Sequence, residues 1–124
     1  MLPTQHRLHR ATDFREVLRR GRRASRPLLI VHVLLEPDPV TDVGTDVPAR
    51  AGLVVSKAVG GSVARHRTAR RLRHLLRAHL SELPPGSRIV VRASAGAGEA
   101  DSAALEGDFA PALAAALRPR GPRR

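Results

Sequence analysis

The chain has 124 residues, with 22 Lys and Arg against 11 Asp and Glu, a formal net charge of +11 with histidine neutral. That length makes one domain the default, and the lack of cysteine excludes a disulfide scaffold, a thiolate metal site and a cysteine nucleophile. The longest apolar run, 28–35, is interrupted by His32 and residues 1–10 have no apolar stretch, so neither a membrane span nor a secretion signal is expected and the sequence predicts a soluble, cytoplasmic chain.

Thr12 is placed to cap a first helix over 13–20, where Phe14, Val17 and Leu18 recur at helical spacing and Gly21 would close the helix in the left-handed conformation. Residues 27–36 are dense in Leu, Ile and Val and read as a strand, and 37–49 as a long hairpin loop. Residues 50–57 form a second strand, Gly60-Gly61 a turn, and Ser62 a cap for the second helix.

The stretch 63–83 is the most informative. Projected at about 100° per residue, Thr68, Leu72, Leu75, Leu76 and His79 share one side. Arg67, Arg70, Arg71, Arg73, His74 and Arg77 occupy the opposite arc. Sixteen residues, 65–80, make a rod of about 24 Å, ended by Pro84-Pro85-Gly86. Arg88–Ala93 reads as another strand, 94–102 as a loop, and 108–117 as an alanine-rich helix after the breaker Gly107. The order is helix, strand, strand with room for a third, helix, strand, helix: helices packed on a single sheet. One domain over 1–117 is expected, followed by a disordered basic tail, 118–124, with four arginines.

Charge is segregated along this order. Residues 7–26 hold eight arginines and two acids, and 50–81 hold eight cations and no carboxylate. A surface selected only for solubility interleaves the signs; a carboxylate-free stretch of this length suits a polyanion. All the cations but Lys57 are arginine, whose planar fork matches phosphate. The only aromatics are Phe14 and Phe109, which excludes a platform of several stacking rings.

Candidate chemical sites are few. His6 and His9 have the spacing of a metal pair but no third ligand, so no metal site is expected. His32 reads as a core-edge residue and His79 as a satisfied buried histidine, while His66 and His74 lie among the arginines as phosphate donors. Ser56-Lys57 has no partner group and the acids lie in loops or near turns, so no catalytic constellation is predicted. Gly60-Gly61 before a helix can hold a phosphate on free amides, although a tight turn is the favoured reading. A ribosomal or nucleoid-type binder of rRNA or DNA fits the composition as well; a stand-alone nuclease does not.

One combination is specific. Gly52-Leu53-Val54-Val55-Ser56-Lys57, a glycine turn, then Val63-Ala64-Arg65-His66-Arg67 leading to Arg70, Arg71 and Arg73 resembles the bacterial ribonuclease P protein family. That family carries an Arg-Asn-Arg signature on a helix that comes after a strand ending in Ser-Lys. The match extends to Arg7-Leu8, Asp13-Phe14, Val17 and Gly21 upstream and to Ile89-Val90-Val91-Arg92 downstream, about 7–117 in all.

The resemblance implies an α+β fold, an αβββαβα sandwich with one four-stranded sheet and a left-handed βαβ crossover. It implies partnership with one large catalytic RNA in removing the 5′ leader of precursor tRNA, with magnesium held mainly by that RNA, none held firmly by the protein alone, and no obligate protein partner. Carried over by position, Lys57, Arg65, His66, Arg67, Arg70, Arg71, Arg73 and Arg77 would face the catalytic RNA, and Phe14, Leu18, Val31 and Arg92 would form the leader cleft. His66 stands for the usual Asn, Ala69 and Ala58 for common lysines, and Leu18, Leu28 and Val31 for frequent aromatics. Leader contact here is therefore expected to rely less on stacking.

Overall fold

Phe14, Val17 and Leu18 give the first helix one apolar side, and the chain turns immediately after it because of a single close approach. In the computed structural model, which describes residues 7–8, 11–35 and 48–118, helix α1 spans Ala11–Arg20. It begins one residue before Thr12, which therefore lies within the first turn and is not the cap. A Cβ on Gly21 would sit 2.4 Å from the Val17 carbonyl oxygen and 3.1 Å from the Val33 carbonyl. Glycine is required there by contact, not by a left-handed backbone: among the described residues the glycines with positive φ are Gly60 and Gly86.

Four strands come next in the sheet: β1 (Arg22–Ser25), β2 (Leu29–Leu34), β3 (Arg50–Val54) and β4 (Arg88–Ala93). They are arranged in the order β1-β2-β4-β3. β1 and β2 are an antiparallel hairpin, β2 and β4 are antiparallel, and β3 runs parallel to β4. The parallel pair is joined through helix α2 (Ser62–His79), since parallel neighbours need a crossover. The segment before α1 lengthens the edge: Arg7 bridges Ala51 and the Leu8 amide donates to the Ala51 carbonyl. Helix α3 (Ser102–Leu117) closes the fold. No helix among the described residues is long and apolar enough to cross a membrane.

Alternation divides the sheet into two faces. Leu29, Val31, Val33, Ala51, Ile89 and Val91 point to α2 and α3 and form the larger core with Leu72, Leu75, Leu76, Leu105, Phe109 and Leu113. Leu34 and Val90 point the other way and pack with Leu8 and Val17 under α1. Helix α1 is further fixed by Arg88, a β4 residue only 1% exposed, whose guanidinium meets Asp13 at 3.2 Å and Glu16 at 2.5 Å.

Several sequence expectations need correction. Strand β1 escapes detection because Arg-Arg-Ala-Ser alternates half-buried and exposed at a sheet edge, with little apolar content. The second expected strand stops at Val54, and Lys57–Val59 form a 3₁₀ turn in which the Ser56 hydroxyl accepts from the Ala58 amide. Gly61, not Ser62, is the cap of α2. Residues 95–99 are a 3₁₀ turn rather than open loop. Helix α3 starts at Ser102, capped by Asp101, whose carboxylate accepts from the Ala104 amide at 2.8 Å. Gly107 does not break it: Gly107 and Pro111, one turn apart, both lie on its exposed side. Most of the 37–49 loop, the His6/His9 pair and the tail beyond Arg118 lie outside the described residues.

Candidate nucleic-acid interface

The leucines of α2 decide which of its cations reach solvent. With Thr68, Leu72, Leu75 and Leu76 buried, His66, Arg70, Arg73, His74 and Arg77 are exposed along the outward side. Lys57 is exposed in the 3₁₀ turn that precedes the helix. The sequence has no acid between 50 and 81, so nothing on α2 itself neutralises this stripe. The helical projection predicts an uninterrupted guanidinium arc of about 160°; the exposed part is narrower.

Arg65, Arg67 and Arg71 are half-buried, and two of them face inward partners. Arg67 donates to the Gly98 carbonyl at 2.8 Å and Arg71 to the Ala100 carbonyl at 2.6 Å. These two arginines bind the end of the 95–99 turn, whose carbonyls would otherwise lack intrahelical donors. Gly98 has no room for a side chain, because a Cβ would lie 2.2 Å from the Val59 carbonyl oxygen. The stretch 95–99 is thus clamped between the 57–59 turn and α2. A helical projection cannot see this, since the acceptors are backbone atoms about thirty positions away in the chain.

A second feature lies on the α1 face of the sheet. Phe14 and Leu18 are half-buried beside Val54, and Arg92 is exposed on β4 between its neighbours Ile30 and Val54. Phe14, Leu18 and Arg92 therefore share one face. Val31 does not: it is fully buried, pairs with Val91 and points to α2 and α3. The cleft-facing positions of β2 are Ile30 and His32, one residue to either side, as strict alternation of this strand requires. Gly52 admits the Phe14 ring to the strand, since a Cβ there would be 2.3 Å from Phe14 Cζ. A cavity of about 320 Å³ opens at this edge, lined by Arg7, Leu8, Phe14, Gly52, Leu53 and Arg73, so Arg73 borders both the cleft edge and the helix stripe.

His32 is more deeply placed than a core-edge residue. It is 3% exposed and both ring nitrogens are buried without a hydrogen-bond partner among the described residues. Burial, and then the charges of Arg92 and Arg23, hold its pKa below the ordinary imidazole value, which keeps it neutral. His79, half-buried rather than fully enclosed, bonds to both Glu82 and Glu106 and packs its ring edgewise on Phe109 at 5.2 Å.

Six of the described acids are engaged within the fold. Asp13 and Glu16 serve Arg88, Glu82 and Glu106 serve His79, Asp101 caps α3, and Asp108 accepts from the Leu28 amide at 2.8 Å. Among the described residues no group of three or more metal-ligating side chains converges.

Comparison with known proteins gives the family and the fold. The family model for ribonuclease P matches residues 2–117. The ribonuclease P protein component of Streptomyces griseus is 57% identical over 114 residues, covering 91% of this chain and 93% of that one. In fold the chain is similar to the RNase P protein of Staphylococcus aureus, with a TM-score of 0.74 at 21% identity over 90% of this chain and 95% of the other. A Thermotoga maritima RNase P protein gives 0.70 at 22% identity, over 92% of this chain and all of that one.

Proposed function

The chain belongs to the ribonuclease P protein family, and from that premise we propose that it is the protein subunit of ribonuclease P, binding the catalytic RNA and the 5′ leader of precursor tRNA to promote removal of the leader. The observation that carries this reading is the outward side of α2, where Arg70, Arg73 and Arg77 stand exposed with no carboxylate between 50 and 81. A folded RNA is recognised largely through its phosphates and 2′-hydroxyls, and a stiff row of guanidiniums follows such a surface without reading sequence.

Within this proposal Lys57, His66, Arg70, Arg73 and Arg77 face the catalytic RNA. Arg65 borders the stripe, and Arg67 and Arg71 act by holding the 95–99 turn. The leader lies on the α1 face, along Phe14, Leu18, Ile30 and Arg92, with His32 buried beneath it. A single-stranded leader of variable sequence needs one stacking ring, apolar floor and a cation rather than base-specific donors. The protein supplies affinity and orientation; hydrolysis belongs to magnesium held by the RNA, whose phosphate oxygens are the hard ligands that ion prefers. The substrate, a precursor tRNA, places the complex in the cytoplasm.

The test is reconstitution. Cleavage of a precursor tRNA is measured at low magnesium with the catalytic RNA alone, with the protein alone and with both. Rescue of the RNA by the protein, with no cleavage by protein alone, is the expected result. Cleavage by the isolated protein, or no enhancement of the RNA, refutes the proposal.

A further inference from the structure

Arg70 and Arg73 share their surface with two histidines. His66, Arg70, Arg73 and His74 line a concavity of about 420 Å³ to which, among the described residues, only α2 contributes. The four positions lie on successive turns, His66 and His74 about 12 Å apart along the axis. All four side chains are exposed. The charged groups on this side of α2 are the guanidiniums of Arg70 and Arg73 beside the imidazoles and that of Arg77 one turn beyond His74. Position 66 is also where the ribonuclease P signature usually has Asn, so the imidazole is a property of this chain.

We propose that this concavity is a proton-linked phosphate clamp: His66 and His74 bind RNA phosphates as imidazolium, beside Arg70 and Arg73, so that the chain takes up protons as it binds. This rests on the subunit reading above and adds to it a pH dependence of assembly. A neutral imidazole has one N–H donor and presents a lone pair to whatever meets its other nitrogen; imidazolium has two donors and a charge. A phosphate brought between these side chains by the arginines favours the charged form. Binding and protonation then strengthen one another by the same factor. The span of the clamp accommodates more than one phosphate, and the absence of carboxylates between 50 and 81 leaves no internal anion on α2 to compete.

The experiment titrates labelled catalytic RNA with full-length protein at pH 6, 7 and 8 and constant ionic strength, for the wild type and for His66→Gln/His74→Gln. Both positions are exposed, so the variant is expected to fold, and a thermal melt checks it. An imidazole whose proton affinity rises by one pH unit in a complex binds about sixfold more tightly at pH 6 than at pH 8. Two give about 40-fold, and the double variant is expected to lose most of that ratio. Calorimetry at pH 6.5 in two buffers of different ionisation heat is expected to show proton uptake by the wild type and less by the variant. Equal pH ratios for both proteins, or equal proton uptake, overturn the clamp. If the wild type fails at every pH to prefer the catalytic RNA over an unrelated structured RNA, the subunit reading itself falls. If that preference holds while the pH ratios coincide, only the clamp falls.

Discussion

Replacing Arg67 and replacing the pair Arg70 and Arg73 should have opposite signatures, although all three sit on one helix within two turns. Arg70 and Arg73 are exposed, and each phosphate neutralised contributes about 0.7–0.9 to the slope of log affinity against log salt. The variant Arg70→Ala/Arg73→Ala is therefore expected to flatten that slope by about 1.4–1.8 while its melting temperature stays close to the wild type. Arg67 is half-buried and donates to the Gly98 carbonyl at 2.8 Å. Its loss removes a charge-assisted hydrogen bond of about 1–2 kcal/mol, which for a domain of this size lowers Tm by roughly 3–8 °C. The salt slope should remain, because the guanidinium is engaged with the backbone. The assay is fluorescence anisotropy with the catalytic RNA from 0.1 to 1 M salt (about a tenfold range, across which screening changes strongly), paired with thermal melts. If Arg67→Ala flattens the slope as Arg70→Ala does and leaves Tm unmoved, the division between fold-holding and RNA-facing arginines is refuted.

The packing carries three more expected outcomes. Arg88→Met removes the buried guanidinium that joins Asp13 and Glu16 of α1 to β4 and is expected to cost about 3–5 kcal/mol in urea unfolding; a cost under about 1 kcal/mol would show that this cluster is not what seats α1. Gly52→Ala puts a Cβ 2.3 Å from Phe14 Cζ, and displacing the ring should cost about 1–3 kcal/mol. It should also weaken holoenzyme binding of leader-bearing precursor more than of mature tRNA, and equal weakening of both would remove Phe14 from the leader path. Because burial, then Arg92 and Arg23, lower the pKa of His32, the unfolded chain takes up its proton at higher pH than the folded one. The stability from neutral His32 is thus present above about pH 6.5 and is lost as pH falls through the folded value. Urea midpoints at pH 7.5 and 5.5 should diverge less in His32→Leu than in wild type; an identical difference would rule His32 out.

Local pattern makes some of this architecture legible. Arg88–Ala93 reads as a strand within its observed bounds, and the leucine spacing of α2 identifies the buried side correctly. The features that escape it are set by distant partners. Nothing within Arg22–Ser25 announces β1; its pairing with β2 creates it. Gly107 and Pro111 discourage a helix locally, yet Leu105 and Phe109 are buried in the core, and that burial outweighs a helix-propensity penalty of about 1 kcal/mol for the glycine. Placing Val31 in the cleft misses by a single residue of register, which in a strand inverts the side chain. Asp13 and Glu16 are the two acids in a strongly basic N-terminal region and lie one turn apart, a signal of a shared partner, but Arg88 is 75 residues away from Asp13.

The same distribution of charge explains how α2 can stay folded with such a surface. Arg70 and Arg73, and Arg73 and Arg77, are like-charged pairs at i,i+3 and i,i+4, each opposing the helix by about 0.2–0.5 kcal/mol. Leu72, Leu75 and Leu76, at most 4% exposed, each return about 1.5–3 kcal/mol on burial, so packing outweighs repulsion severalfold and the helix needs no carboxylates on its outer side. Carboxylates placed there would ease folding and weaken the field. In this chain they serve instead to join α1 to the sheet through Arg88, α2 to α3 through His79, and the β1–β2 hairpin to α3 through Asp108. The repulsion left on α2 is eased when an external anion arrives, which gives a polyphosphate an attraction beyond its direct hydrogen bonds. On this argument a neutral helix with the same leucines would fold more stably and bind RNA far more weakly.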